Sequence, residues 1–461
     1  MKQTLFMAIV IILCLFSSSL SRGQEEKPGA ADPEERSHEV ASLSSFNPHE
    51  GLGKDGRIPR PELPEGIKNP ERWRYVPEGR IKPGTILQRF TVSNFIIPSV
   101  FYEQDIGAGA GILLFDSDFR QQRRREFAGT GFTYTTEGQK AVGIGWRRYL
   151  NHRELENGGV ILEERSMVQA GVGYSRTLTR RFFGIGPDTT ADNETSYTDE
   201  ASGFIVSLQK TLPDPGDDLL FSLGLTGYRH NLSPGRVSDR PTTDAAFPGL
   251  FNAADSFDIL WVNGMLRYDT RDSQHTPYKG WMIEASVDGA PTKTGRGTAA
   301  IYKVSGNMVK KVPGLFHDGG DANEEHPPTD VLALGGHVHW TEGDLPFWAL
   351  PTLGGSQTLR GYIANRFTDR ALWHVSAEYR FWVFPRGFSL NDSIRAERLG
   401  LALFYDAGTV APALHALTSA ETYISYGLSF RFTLERMALF RADVGFSSEG
   451  TNLVVGFGNS F

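Results

Sequence analysis

From about Ile96 to Phe461, apolar and polar residues alternate with a period of two, which predicts strands whose two faces meet different surroundings. The last stretches show it best. Ala438, Phe440, Ala442, Val444 and Phe446 alternate with Arg441, Asp443, Gly445 and Ser447, and Tyr426, Leu428, Phe430 and Phe432 alternate with Ser425, Gly427, Ser429 and Arg431. A strand buried in a soluble core would not tolerate that Arg and Asp together, whereas a strand with lipid on one side and a polar bore on the other would. In a final strand over 452–461, Leu453, Val455, Phe457 and Phe461 are expected on one face and Asn452, Gly456, Gly458 and Ser460 on the other.

The same pattern predicts strands over 96–104, 107–117, 124–136, 139–150, 166–178, 197–212, 218–231, 256–270, 280–289, 298–311, 329–342, 371–383, 398–410, 422–432, 437–447 and 452–461. They number sixteen. An even number brings both chain ends to one side, and closure is needed because an open edge in lipid would leave backbone groups unpaired. With the N-terminus in the periplasm, the long loops 179–196, 232–255 and 343–370 fall outside. The fold expected is all-β, one sixteen-stranded antiparallel transmembrane barrel over 93–461. Two connections on the periplasmic side, 312–328 and 384–397, are longer than the usual tight turns.

Composition fits. With 461 residues, 51 glycines, 11% aromatic and 39% hydrophobic content, the chain is too polar for a helical membrane bundle, yet one barrel can use all its length. Beyond the N-terminus no run of about 18 apolar residues occurs, which excludes spanning helices. Met1-Lys2-Gln3, the apolar run from Leu5 to Phe16 and the small residues Ser17 to Gly23 have the three parts of a secretory signal peptide over 1–23, with cleavage after Ser21 a close second. Cys14, the one cysteine, leaves with that leader, so no disulfide framework is expected. Residues 24–92 carry nine prolines among charged residues and little apolar alternation, so a disordered or extended periplasmic segment is expected, with a short docking stretch near Ile81 to Phe90. The net charge of −7, with Lys and Arg scattered, removes a nucleic-acid partner.

Gly354-Gly355-Ser356-Gln357-Thr358-Leu359-Arg360-Gly361-Tyr362 lies in the loop before the last five strands. That run resembles the inward-folded sixth loop of the BamA/TamA superfamily of outer-membrane barrels, with its Arg-Gly-aromatic tip. Phe404-Tyr405-Asp406-Ala407-Gly408 and Ala377-Glu378-Tyr379-Arg380 resemble the strand motifs that hold this arginine. The alternation places Glu378 on the inner face with His374, Ser376 and Arg380, and Asp406 with Gly400, Ala402 and Gly408. Arg360 is therefore expected to meet two carboxylates on adjacent strands, as a latch completed by Gly361 and Tyr362. The resemblance implies work in inserting or translocating proteins or lipids at the outer membrane, without a cofactor or catalysis. The partners implied are outer-membrane lipid, client proteins or lipids, and the machinery that inserts this barrel itself. A passive pore or structural barrel is the alternative. Family members usually carry periplasmic POTRA domains where this chain has the proline-rich segment.

Phe461 resembles the terminal aromatic that marks such barrels for assembly. Pro98 in the first strand and Gly456 and Gly458 in the last weaken pairing, so the closing seam is expected to be the loosest. In the family that seam is thought to open and let client strands pair with its edge.

Other constellations have plainer readings. Tyr268 to Asp272 with Pro277 to Trp281 resembles a family turn, with charges satisfying exposed ends. Phe182 to Asp188 reads as a rim turn. His337 and His339, with His374 one strand along, could approach a metal but read better as polar bore side chains, since no acidic partner is evident. Gly107, Gly109 and Gly111 lack the strand-to-helix context of a phosphate loop and are expected to make room for the folded loop. No Gly-x-Ser-x-Gly elbow occurs.

Overall fold

The computed structural model describes residues 64–69, 72–76, 78, 81, 93–250, 256–272, 277–294, 297–316, 329–384, 388–389, 395–434 and 438–461. The expected leader, and most of the two longer connections at 312–328 and 384–397, lie outside the described residues.

Among the described residues, sixteen long strands follow one another: β1 (Asn94–Glu103), β2 (Gly107–Asp116), β3 (Glu126–Thr135), β4 (Lys140–Tyr149), β5 (Met167–Phe182), β6 (Thr195–Leu212), β7 (Leu219–Pro234), β8 (Ser256–Asp269), β9 (Gly280–Lys293), β10 (Ala299–Val312), β11 (Asp330–Gly343), β12 (Ala371–Phe384), β13 (Arg395–Ala411), β14 (Tyr423–Leu434), β15 (Ala438–Ser447) and β16 (Gly450–Phe457). Each pairs antiparallel with the next and β16 returns to β1, closing a barrel. Closure sets every strand between two neighbours, the arrangement a bilayer demands of backbone polar groups.

The two faces separate as the alternation demands. Ile96, Ile112, Phe132, Ile144, Leu223, Ile283, Leu403 and Tyr426 are each more than half exposed, so large apolar side chains face outward around the wall. Arg431, Arg441, Asp443, Ser425 and Ser429 are buried on the inner face. No helix among the described residues is long and apolar enough to cross a membrane.

Three expectations need correction. β5 runs to Phe182 rather than stopping at 178, because a register shift between Thr177 and Arg180 breaks the alternation without ending the strand. β16 ends at Phe457, where Gly458 takes φ +76° and turns the chain inward. Phe461 therefore leaves the face of Leu453: its ring packs by Tyr278, Val309, Val331 and Ala333, and the Arg380 guanidinium lies 5.3 Å from it. The glycines of β2 do face inward, but the space over Gly109 is filled by the Phe101 ring of β1, not by the sixth loop.

The seam is the sparsest junction. β1 pairs with β2 along its whole length, from Asn94 opposite Asp116 to Glu103 opposite Gly107, while its ladder with β16 matches only Tyr102 to Val455.

At the end of the barrel where β1 begins, a small sheet sits outside the ladder. Trp73–Val76 pairs with Val160–Glu163, which pairs with His152–Glu154 in the β4–β5 connection. Val76, Ile81, Val160 and Leu162 pack against Leu113, Phe115, Phe127 and Tyr149 on the inner wall of β2–β4. The proline-rich segment thus docks at Trp73–Val76, ahead of the stretch expected to do so; Ile81 joins the same cluster, and 82–90 lie outside the described residues.

Candidate functional site

Loop six, residues 344–370 between β11 and β12, enters the bore. Its base is apolar. Leu345, Phe347, Trp348 and Leu350 pack with Phe182, Tyr197, Leu232, Ile259 and Trp261 on β5–β8. The chain then forms a short hairpin, with Thr352 opposite Thr368 and Leu353 opposite Phe367. Between its arms lies the tip. Gly354 and Gly355 adopt φ of +110° and +85°, conformations that favour glycine. The Gly355 N–H donates to the Tyr362 carbonyl at 2.9 Å and the Gly354 N–H to Thr358 Oγ1 at 2.9 Å, so the tip is closed on itself before it meets the wall.

The structure brings together Arg360, Glu378 and Asp406, all but fully buried. Arg360 Nε donates to Asp406 Oδ2 at 2.9 Å and Nη2 to Asp406 Oδ1 at 2.7 Å, a two-pronged pair that a lysine could not reproduce. Arg360 Nη1 donates to Glu378 Oε1, and Nη2 also to Ser376 Oγ at 3.1 Å. The guanidinium lies 3.7 Å from the Phe404 ring centroid, a stacked cation–π contact. Alternation makes this possible: β12 turns Ser376 and Glu378 inward, and β13 turns Phe404 and Asp406 inward while Leu403 and Tyr405 face out. Burial alone would lower the guanidinium's pKa; Glu378 and Asp406 more than reverse this and hold it above its ordinary value.

The carboxylates differ in their company. Asp406 also accepts from Ser376 Oγ at 2.6 Å and Ser425 Oγ at 3.2 Å, both neutral donors. Glu378 accepts from two further arginines, Arg380 Nε at 2.6 Å and Arg431 Nη1 at 3.4 Å, and from Ser460 Oγ at 2.7 Å. Ser460 belongs to the tail that Gly458 turns inward, so loop six and the end of the chain share one carboxylate.

Gly361 and Tyr362 fasten the tip to β15 and β16. A Cβ on Gly361 would stand 2.6 Å from the Phe446 carbonyl, and one on Gly445 would stand 2.5 Å from the Arg360 carbonyl, so the backbones meet only because both residues are glycine. Asn452 Nδ2 donates to the Arg360 and Tyr362 carbonyls at 3.0 Å each, and Ser447 Oγ to the Gly361 carbonyl at 2.9 Å. Tyr362 Oη is 3.1 Å from Ser448 Oγ.

Sequence reasoning missed a second buried arginine. Arg366 Nε lies 2.8 Å from both Glu449 oxygens, its Nη2 donates to the Thr189 carbonyl at 2.7 Å, and its guanidinium stacks near Phe183 and Phe367 at 4.8 and 4.5 Å. It ties loop six to the β15–β16 turn and to the β5–β6 loop. The Phe182–Asp188 segment is thus more than a rim turn: the Gly186 N–H donates to the Thr368 carbonyl, and Tyr423 Oη to the Pro187 carbonyl at 2.6 Å. Arg366 has no motif of its own, and its partners lie 83 and 177 residues away.

Asp269 and Arg271 form a pair at 2.9 Å, buried rather than satisfying exposed ends, because Arg165 and Arg72 reach over the turn to the Asp269 carbonyl. The rings of His337, His339 and His374 lie side by side, with centroids 4.6 and 5.1 Å apart. No group of three His, Cys, Asp or Glu with metal-holding geometry occurs among the described residues.

A family model described as the Omp85 superfamily domain matches residues 156–461, well over half of the chain. The chain belongs to the Omp85 superfamily. Among solved structures, this Omp85 barrel is similar to BamA from Haemophilus ducreyi lacking POTRA domains 1–3, at 14% identity and TM-score 0.51, covering 80% of this chain and 70% of that one. It is also similar to CdiB from Escherichia coli, at 10% identity and TM-score 0.50, covering 79% of this chain and 63% of that one. Such identities establish likeness of fold. No curated protein matches in sequence. The Omp85 match begins in the β4–β5 connection, yet β1–β4 complete the same closed ladder.

Proposed function

We propose that this protein is an outer-membrane barrel that assists the insertion or translocation of proteins or lipids, with the end bearing Asn94 and Phe457 facing the periplasm. One observation carries the reading: a bore occupied by loop six, whose tip is tied to β16 through Asn452, beside a seam paired only at Tyr102 and Val455. A bore filled by a charged clamp, beside a closing strand so lightly joined, suits a barrel that opens on demand better than one that stands open. In this reading Arg360, Gly361, Tyr362, Glu378 and Asp406 are the latch, and its release and the parting of the seam are one event. The client is an outer-membrane protein or lipid, the surrounding lipid is the medium, and no catalytic group is assigned. The inward Phe461 is read as a signal used for the barrel's own assembly before it is enclosed.

The test is depletion in the native host, followed by comparison of outer-membrane proteins and lipids, with rescue by a Tyr102→Cys/Val455→Cys chain. Rescue under reducing conditions and its loss on oxidation are expected. Full rescue by the oxidised, locked chain would overturn seam opening. A steady open conductance of the purified wild-type barrel in planar bilayers would favour the passive pore.

A further inference from the structure

We propose that the outer wall at the ends of β2–β4 holds an anionic glycerophospholipid, its phosphate received by Arg120 and Arg148 and its acyl chains laid along the apolar face beyond them. The orientation proposed above supplies the leaflet, the periplasmic one; the site itself stands on the following geometry.

The cluster is built by parity. In β3, Phe127 turns into the bore, so its neighbour Glu126 turns out, and the ladder sets Arg148 of β4 directly opposite it. Arg148 Nη1 donates to Glu126 Oε1 at 2.8 Å. Arg120, from the β2–β3 turn, reaches back to the same carboxylate, with Nε 2.7 Å from Oε2 and Nη2 2.6 Å from Oε1. Two guanidinium groups thus share one carboxylate, and one positive charge is left over. The next acid along this rim, Asp116 opposite Ala128, serves its own loop: its Oδ1 accepts from the Asp118 N–H at 2.9 Å, and its charge faces Arg124. The Arg229–Asp258 pair at the other end of the wall is balanced one to one.

The surplus charge is also the accessible part. Glu126 is fully covered, whereas the Arg120 and Arg148 side chains are 57% and 36% exposed. Among the described residues, Arg120 Nη1 and Arg148 Nε and Nη2 have no acceptor, which leaves planar donors for a phosphate. The turn that presents Arg120 is held in a costly shape. Arg120, Gln121, Arg123 and Arg124 take φ of 56°, 55°, 53° and 66°, a region that residues other than glycine avoid, and the chain folds back so that Arg120 returns to the wall.

What lies beside the cluster decides the kind of anion. Further along the same face come Trp146, opposite Ala128, and then the exposed Leu114, Ile144, Phe132 and Val172. An indole beside charge at the edge of an apolar band is the arrangement of a membrane interface. A water-soluble anion would use only the arginines, while an amphiphile uses both surfaces. A headgroup without a cation of its own answers the surplus charge; a zwitterionic one brings a competitor for its own phosphate.

The experiment uses the full-length chain in mixed micelles of phosphatidylcholine, titrated with phosphatidylglycerol that carries a photoreactive acyl chain, with labelled peptides mapped by mass spectrometry. Labelling within 112–148 is expected to exceed by about fivefold that from phosphatidylcholine carrying the same chain, the preference that one surface arginine supplies. Arg120→Gln/Glu126→Gln/Arg148→Gln, which removes the three charges together and strands no carboxylate, should abolish that preference and leave phosphatidylcholine labelling unchanged. Arg229→Gln should alter neither. Excess glycerol phosphate, the headgroup without its chains, should not displace the lipid. Equal labelling by the two lipids, phosphatidylglycerol labelling spread evenly round the barrel, or a preference that survives in the triple variant would each overturn the proposal. Displacement by glycerol phosphate would do so too, by making this a site for soluble phosphate. No assembly is read, so a barrel that fails the depletion test leaves this site standing, and even labelling leaves the proposed function untouched.

Discussion

The wall of β12–β15 grips loop six through charge, with Arg360 shared between Asp406 and Glu378 and further arginines crowded round Glu378. The wall of β2–β4 holds the hairpin and the upstream strand chiefly through Leu113, Phe115, Phe127 and Tyr149, with the Arg123–Glu154 and Arg74–Glu164 pairs at its partly exposed edges. The difference lies in how each contact fails. A buried ion cluster is directional: removing one member leaves the others desolvated and unpaired, so a single change acts like a switch. Apolar packing loses stability in proportion to the volume removed, so the mouth loosens gradually.

The largest effect is expected from Glu378→Gln, which leaves Arg360, Arg380 and Arg431 together without their carboxylate. A loss on the order of 3–5 kcal/mol in the local stability of loop six is expected, read as protease cleavage within 354–362. Unchanged protection would show that the charge is incidental to the grip. Next, Arg360→Ala should convert a silent barrel into a conducting one in planar bilayers. Arg360→Lys should fall between wild type and alanine, because an ammonium cannot engage both Asp406 oxygens in the guanidinium's planar fork. Equal conductance of the lysine and alanine variants would break the argument from geometry. Arg366→Ala should cost about 1–3 kcal/mol, as the Glu449 carboxylate and Thr189 carbonyl lose their donor; hydrogen exchange should rise in the β15–β16 turn and the β5–β6 loop together. Exchange rising in one alone would show that Arg366 does not couple them. At the mouth, Val76→Ala should cost only about 1–2 kcal/mol, seen as faster proteolysis near residue 76 with silent conductance retained. A conducting Val76→Ala barrel would mean that the mouth, too, behaves as a switch.

These two walls also differ in how far the amino-acid order reveals them. Period-two alternation is strong over spans of ten or more residues, and it located the sixteen strands and put Glu378 and Asp406 on the inner face. The meeting of Arg360 with Glu378 and Asp406 was legible because an arginine between small residues and two inward carboxylates each leave a local mark. Trp73–Val76 left none: four residues between prolines are too few to show a period, and their partner strand is some ninety residues on. Arg366 acts through contacts that only folding creates. Phe461 follows the parity of its strand on paper, but the positive φ of Gly458 ends the strand before that parity can apply.

Arg360 at the tip of loop six is held from the C-terminal side of its own sequence, whereas the base of the loop rests on the earlier strands β5–β8. Ser376, Glu378, Asp406, Ser447 and Asn452 all follow Arg360, the last by 92 residues. A barrel lacking only its final hairpin would keep the contacts of Arg360 with Asp406 and Glu378 and lose the bonds from Ser447 and Asn452 to the carbonyls of Arg360, Gly361 and Tyr362. A chain cut short before Asn452 is therefore expected to keep its charge contacts and lose its backbone tether, so the final hairpin sets how far the tip can swing.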